Sequence, residues 1–241
     1  YLLMKIKKLR ENILEFIKKK FFTLYKLIIV MGGYIKFFNK INCKKKYTKF
    51  SSNLDKINDF EYQATSQNNE DGIINHIFDQ LKIDKLNFIE IGFDYYQNNS
   101  LGILKKCNKA LFVDGDNKKA IILRNVLKLF YPKTKITVQN TLVDIDNINL
   151  IKEQNFTDQE EIDFLSIDVD GIDYYLFKEI NFKPKLICIE YNFWFGKDLS
   201  CATPYEKNYT LDSLSDYVGA SLKAITGLAN SKGYHLIAID S

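Results

Sequence analysis

The chain has 241 residues, 46% of them apolar and 27% charged, which excludes a disordered or low-complexity polypeptide and allows one sizeable core plus an appendage. Its formal charge of +4 is unevenly spread: residues 1–50 carry 14 Lys and Arg against Glu11 and Glu15, a net of +12, so the remainder is net −8. An acidic main domain is a poor surface for phosphate, so no nucleic acid is expected as a partner. The cysteines Cys43, Cys107, Cys188 and Cys201 form no CxxC pair, which excludes a disulfide framework or zinc site and suits a reducing, cytoplasmic compartment.

Residues 1–50 are predicted to be a basic amphipathic helical segment, with Leu2, Ile6, Leu9, Ile13 and Ile17 near one face and Lys8, Lys18 and Lys19 largely opposite. The uncharged run from Leu27 to Ile35 is too short for a bilayer span of about 20 residues. Apolar and aromatic side chains beside lysines suit the interface of an anionic membrane, so a peripheral membrane position is the reading adopted. A helix packed on the domain or a nucleic-acid arm are the alternatives. Residues 51–70 are polar and read as a linker, and 71–241 as the main domain.

Beyond Gly72 the chain alternates helix and strand, the pattern of an α/β fold: a doubly wound, mostly parallel, Rossmann-like sheet with helices on both faces. A helix carries Ile73, Ile74, Ile77, Phe78 and Leu81. Strand one is Asn87–Ile91, closed by Gly92; strand two is Ala110–Val113, closed by Asp114; a helix follows over 117–130, stopped by Pro132. Strand three lies at about 136–139. Strand four begins at Phe164 and breaks into Asp168, Asp170, Gly171 and Asp173, and strand five is Leu186–Glu190. A helix from about 211 to 231 and a sixth strand over Tyr234–Ile239 complete the pattern. His76 and His235 fall in helix-like and strand-like segments and read as structural.

In open α/β sheets ligands bind beyond the carboxyl ends of the strands, where Asp168, Asp170 and Asp173 would project. A solvated acidic turn with Asp170 or Asp173 as helix cap is the plainer alternative. Gly92 and Asp114, 22 residues apart, supply a close-approach turn and a carboxylate able to accept both hydroxyl protons of a ribose. The first turn, Gly92-Phe93-Asp94-Tyr95-Tyr96, has one glycine and an acid, which is poor for a pyrophosphate and points to a nucleoside without phosphate.

With these motifs in order, the stretch from about Ser66 to Ser241 resembles the FkbM-type branch of class I S-adenosylmethionine-dependent methyltransferases. The likeness is carried by Ser66-Gln67 with Glu70-Asp71-Gly72, Phe88–Gly92, Val113–Asp116, Asp168–Tyr174, Ile189–Asn192 and Tyr217–Leu222. It implies a seven-stranded sheet, S-adenosylmethionine as the methyl donor, and a sugar, glycan or natural-product hydroxyl as acceptor. The family's first loop has a further glycine where this chain has Asp94-Tyr95-Tyr96, and its closing strand would follow Ser241. By resemblance Glu90 and Gly92 line the donor's methionine part, Asp114 and Gly115 its ribose, and Asp144 its adenine. Asp168, Asp170 and Glu190 are the candidates for the base, with Asp168 preferred. Asp173, Tyr174, Tyr191 and Asn192 are expected at the acceptor, and Tyr174, Tyr191, Trp194, Phe195 and Tyr205 could form an aromatic platform for a sugar ring. Three converging acids would also suit a divalent cation, although no metal ligand set is expected. A metal-dependent glycosyltransferase using Asp168-x-Asp170 and a non-catalytic membrane-associated scaffold are the competing readings.

Overall fold

The computed structural model describes residues 57–207 and 218–240, together with Gly32 and the backbone of 46–47. The basic amphipathic segment, the expected helix start near 211 and Tyr217 lie outside the described residues. At the centre are five parallel strands: β1 (Leu86–Ile91), β2 (Cys107–Asp114), β3 (Lys135–Asn140), β4 (Phe164–Ile167) and β5 (Leu186–Ile189). Their spatial order is β3-β2-β1-β4-β5, so the chain runs outward from β1 in one direction and then returns to β1's other side. The helices α1 (Glu70–Gln80), α2 (Asn117–Phe130), α3 (Ile148–Asn155), α4 (Asp173–Glu179) and α5 (Leu222–Ser231) cover both faces. The fold is thus the expected α/β, Rossmann-like sheet.

Strand alternation divides the apolar residues between two cores. Leu86, Phe88, Ala110, Phe112 and Phe164 face α1 and α2, where Phe78, Leu123, Val126 and Leu127 meet them. Ile89, Ile91, Leu111, Val113, Leu165 and Ile167 point the other way, onto Ile148 and Ile151 of α3 and Leu176 and Phe177 of α4. Burial on both faces explains why these strands read as nearly continuous apolar runs. Asp116 starts α2 by accepting hydrogen bonds from the Lys118 and Lys119 amides, and Ser221 starts α5 by accepting from Ala224.

Two expectations need correction. The stretch read as a linker packs from residue 57 onward: residues 57–60 form a 3₁₀ turn, and Tyr62–Gln63 pairs antiparallel with Lys46–Tyr47. The cause is Asp71, buried in the first turn of α1, whose carboxylate accepts from the amides of Ala64, Thr65 and Ser66 and from the hydroxyls of Thr65 and Ser66. Among the described residues, moreover, the sheet has five strands, and Tyr234–Ile239, expected as the sixth, is extended chain without a ladder. The Tyr234 hydroxyl donates to the Pro184 carbonyl and the Asn58 amide to that of Ile239. The segment and β5 both line an apolar cavity of about 190 Å³.

Candidate functional site

Strand register, rather than loop conformation, assembles the site. Ile91 pairs with Val113 and Ile167, and Ile167 pairs with Ile189, so the next residues, Gly92, Asp114, Asp168 and Glu190, form one row along the carboxyl edge. The backbone ladder extends into that row, with Gly92 donating to Val113, Asp168 to Ile91 and Glu190 to Ile167. Gly92 has φ +74°, and a Cβ there would lie 1.6 Å from the Asp168 carbonyl oxygen. No other residue fits this close approach of β1 and β4.

Two rows deeper, Phe112, Glu90, Ser166 and Cys188 are aligned by the same register. This row anchors the loop after β1. The buried Glu90 carboxyl accepts from the Asn99 amide and shares a close hydrogen bond with the Ser100 hydroxyl. The Asn99 side chain donates to Ser166 Oγ at 3.1 Å and lies 3.4 Å from Cys188 Sγ. Burial raises Glu90 to about 8 despite the hydrogen bonds from Ser100 and Asn99, so at neutral pH it carries its proton and the row is electrically quiet. Asn98 ties the same loop to the Thr65 carbonyl, joining it to the segment held by Asp71. Asn99, Ser100 and Ser166 were not singled out from the sequence. Their signal was polarity at Glu90, Ser166 and Cys188, legible only once the three strands are in register.

Asp114 ends β2 with one carboxylate oxygen accepting from the Phe93 amide and the other from the Asp116 amide; Lys119 stands 3.9 Å away. Each oxygen retains acceptor capacity, so the group suits a diol. Gly115 packs against Leu142. Asp144 accepts from the amides of Asp146 and Asn147 in the turn before α3, which fixes the chain beside Leu142.

At the other end of the row, Asp168, Asp170 and Glu190 each offer a carboxylate oxygen within 4.8 Å of the others. Burial raises Asp168 to about 7, with the charges of Asp173, Asp170 and Glu70 adding to it and Lys119 opposing. Glu190 is exposed as a residue but crowded at its carboxyl end, and it rises to about 8 by desolvation first and then by repulsion from Asp168, Asp173 and Asp170. Asp173 is placed differently from its neighbours: it is buried in the first turn of α4, where its carboxylate accepts from the amides of Val169 and Gly171. It is thereby a clasp on the turn that presents Asp168 and Asp170, and Asp170 takes φ +58° within that turn.

Beyond β5 the chain forms a 3₁₀ turn, Phe193–Phe195. Asn192 starts it by accepting from the Trp194 amide and donates its own side chain to the Val218 carbonyl. The turn lifts Phe193 and Trp194 into solvent as a tilted pair, ring centroids 4.6 Å apart. The expected platform is therefore divided. Tyr174 and Tyr205 pack edge-on against Tyr175 instead, and Phe193, which the sequence reading passed over, joins Trp194.

No family model matches the chain, and no curated protein matches it. Among solved structures, an S-adenosylmethionine-dependent methyltransferase from Clostridium acetobutylicum ATCC 824 overlays with a TM-score of 0.34 at 13% identity, over 56% of this chain and 55% of that one. That overlap spans about half of either chain and is too slight to bear on the chemistry.

Proposed function

We propose that this chain is an S-adenosylmethionine-dependent O-methyltransferase acting on a hydroxyl of a sugar, glycan or related small molecule. The observation that carries the reading is the single row of Gly92, Asp114, Asp168 and Glu190 at the carboxyl edge, where the strand order reverses beside β1. The residues fit the donor. Asp114 has acceptor capacity for two ribose hydroxyls, and the acidic end of the row suits a sulfonium cation. Glu90 and the Gly92 turn would border its methionine part, Gly115 its ribose, and Asp144 with Leu142 its adenine. The bound donor supplies a methyl group on positively charged sulfur.

The protein's part is to position the acceptor and move one proton. Asp168 titrates near neutrality and no described residue donates a hydrogen bond to its carboxylate, so it is the group that takes the hydroxyl proton. Asp173 holds the turn that aims it. Calorimetry with S-adenosylmethionine and its demethylated product tests the reading: binding that is lost in Asp114→Ala supports it, and no binding by the folded chain overturns it.

The three clustered carboxylates also favour a second reading, a metal-dependent glycosyltransferase, because oxygen ligands at this spacing suit a hard divalent cation. Stabilisation by a nucleotide sugar with Mn²⁺, and none by S-adenosylmethionine, would select it. Among the described residues no helix is long and apolar enough to cross a membrane. The basic residues 1–50 would serve as a peripheral contact with an anionic surface.

A further inference from the structure

We propose that the acceptor is an amino sugar, its ammonium group held at Glu190 and its ring laid against Phe193 and Trp194. The proposal rests on the methyltransferase reading only for calling the ligand an acceptor. Its basis is a cavity of about 190 Å³ at the outer end of the row, bordered by Glu190, Asn192, Phe193, Trp194 and Gly219.

Two independent features of that cavity select the same chemistry. One wall is acidic: Glu190 lies on it, and Asp168 and Asp170 reach within 4.8 Å of Glu190. Its described lining contains no lysine, arginine or histidine to neutralise them. The other wall is aromatic, with Phe193 and Trp194 64% and 68% exposed, and it is a built surface because Asn192 caps the turn beneath it and ties that turn to Val218. A π face and a carboxylate both attract a cation, whereas a neutral sugar would use the rings and leave the crowded acids unanswered. Neighbouring strand tips stand about 4.8 Å apart, the scale of one sugar ring. An ammonium at Glu190, just past β5, thus leaves a ring hydroxyl to face Asp168, just past β4. Burial first, and then repulsion from the neighbouring acids, lifts Glu190 to about 8; a cationic ligand opposes the repulsion, so binding also expels a proton to the buffer.

Trp194 is the chain's single tryptophan, so its fluorescence reports this cavity directly. The test is titration of the full chain, without donor, near neutral pH and at low salt, with glucosamine, glucose and N-acetylglucosamine. Glucosamine is expected to bind about tenfold or more tightly than the two uncharged sugars. That margin should collapse in Glu190→Gln and on raising salt, and Phe193→Ala should weaken glucosamine binding with the acids intact. Equal affinities for the three sugars, a margin that survives Glu190→Gln, or no response to glucosamine from a chain with folded circular dichroism overturns the proposal. Because no donor is present, these outcomes are independent of whether S-adenosylmethionine binds.

Discussion

Gly92 and Asp168 meet where the backbone after β1 closely approaches that after β4, and the two residues fail in different ways when changed. Gly92→Ala forces a Cβ onto the Asp168 carbonyl from a left-handed backbone. It should cost about 3 kcal/mol or more of stability, measured by denaturant unfolding. Asp168→Asn keeps the shape and removes the base. It should weaken donor binding far less than it slows turnover, which falls by about 10²–10⁴. In the unaltered protein the base works when ionised, so turnover should rise with pH through about 7, where Asp168 titrates, and then level off. A rate that is flat across that range would show that Asp168 does not carry the proton.

At the scale of elements, the segment before α1 and the loop after β1 form one brace, with Asp71 at its root and Asn98 linking the halves. Asp71→Ala removes the acceptor of five hydrogen bonds and strands buried donors. It should destabilise by about 3–5 kcal/mol and expose the 57–70 segment to protease, read by limited proteolysis against the parent chain. This brace was the least legible part of the sequence. Ser, Thr, Asn and Gln around 63–69 look like a linker because composition records polarity without recording that it is satisfied, here by an Asp71 carboxylate only 5 to 7 residues further on. The central strands β1, β2 and β4 were legible because burial on both faces leaves nearly unbroken apolar runs, and the acids at the tips because a run that ends in Asp or Glu marks where burial stops. The segment 234–239 shows the limit of that logic, since an apolar stretch announces a strand but not a partner. Phe193 was missed for a related reason: which ring of Phe193-Trp194-Phe195 faces out depends on the cap supplied by Asn192.

For the whole molecule, the acids of the cleft set a pH dependence of stability. Glu90 and Glu190 rise to about 8 and Asp168 to about 7, all above the values an unfolded chain would give. Between about pH 5 and 8 the folded chain therefore holds protons that the unfolded chain has released, and stability falls as pH rises through that window. The melting temperature should be higher in mildly acidic buffer than above pH 8. The pair Asp168→Asn with Glu190→Gln should flatten that slope and raise the melting temperature above pH 8, on the order of 3 °C. A melting temperature that climbs across the same window would contradict this electrostatic account of the cleft. The segregation of charge, +12 in residues 1–50 against −8 in the rest, gives a second expectation at this scale. The chain should co-sediment with vesicles containing anionic lipid, less so in salt, and Lys18, Lys19 and Lys20 changed to Gln should weaken that binding while neutral vesicles are ignored throughout.

The row of strand tips also bears on how this site tolerates insertion and deletion. Gly92, Asp114, Asp168 and Glu190 meet because each directly follows a residue of the aligned set Ile91, Val113, Ile167 and Ile189. Losing one residue inside β2 would turn Asp114 to the opposite face of the sheet, whatever the loops around it could absorb. The count of residues within each strand is therefore as much a part of the site as the acids themselves.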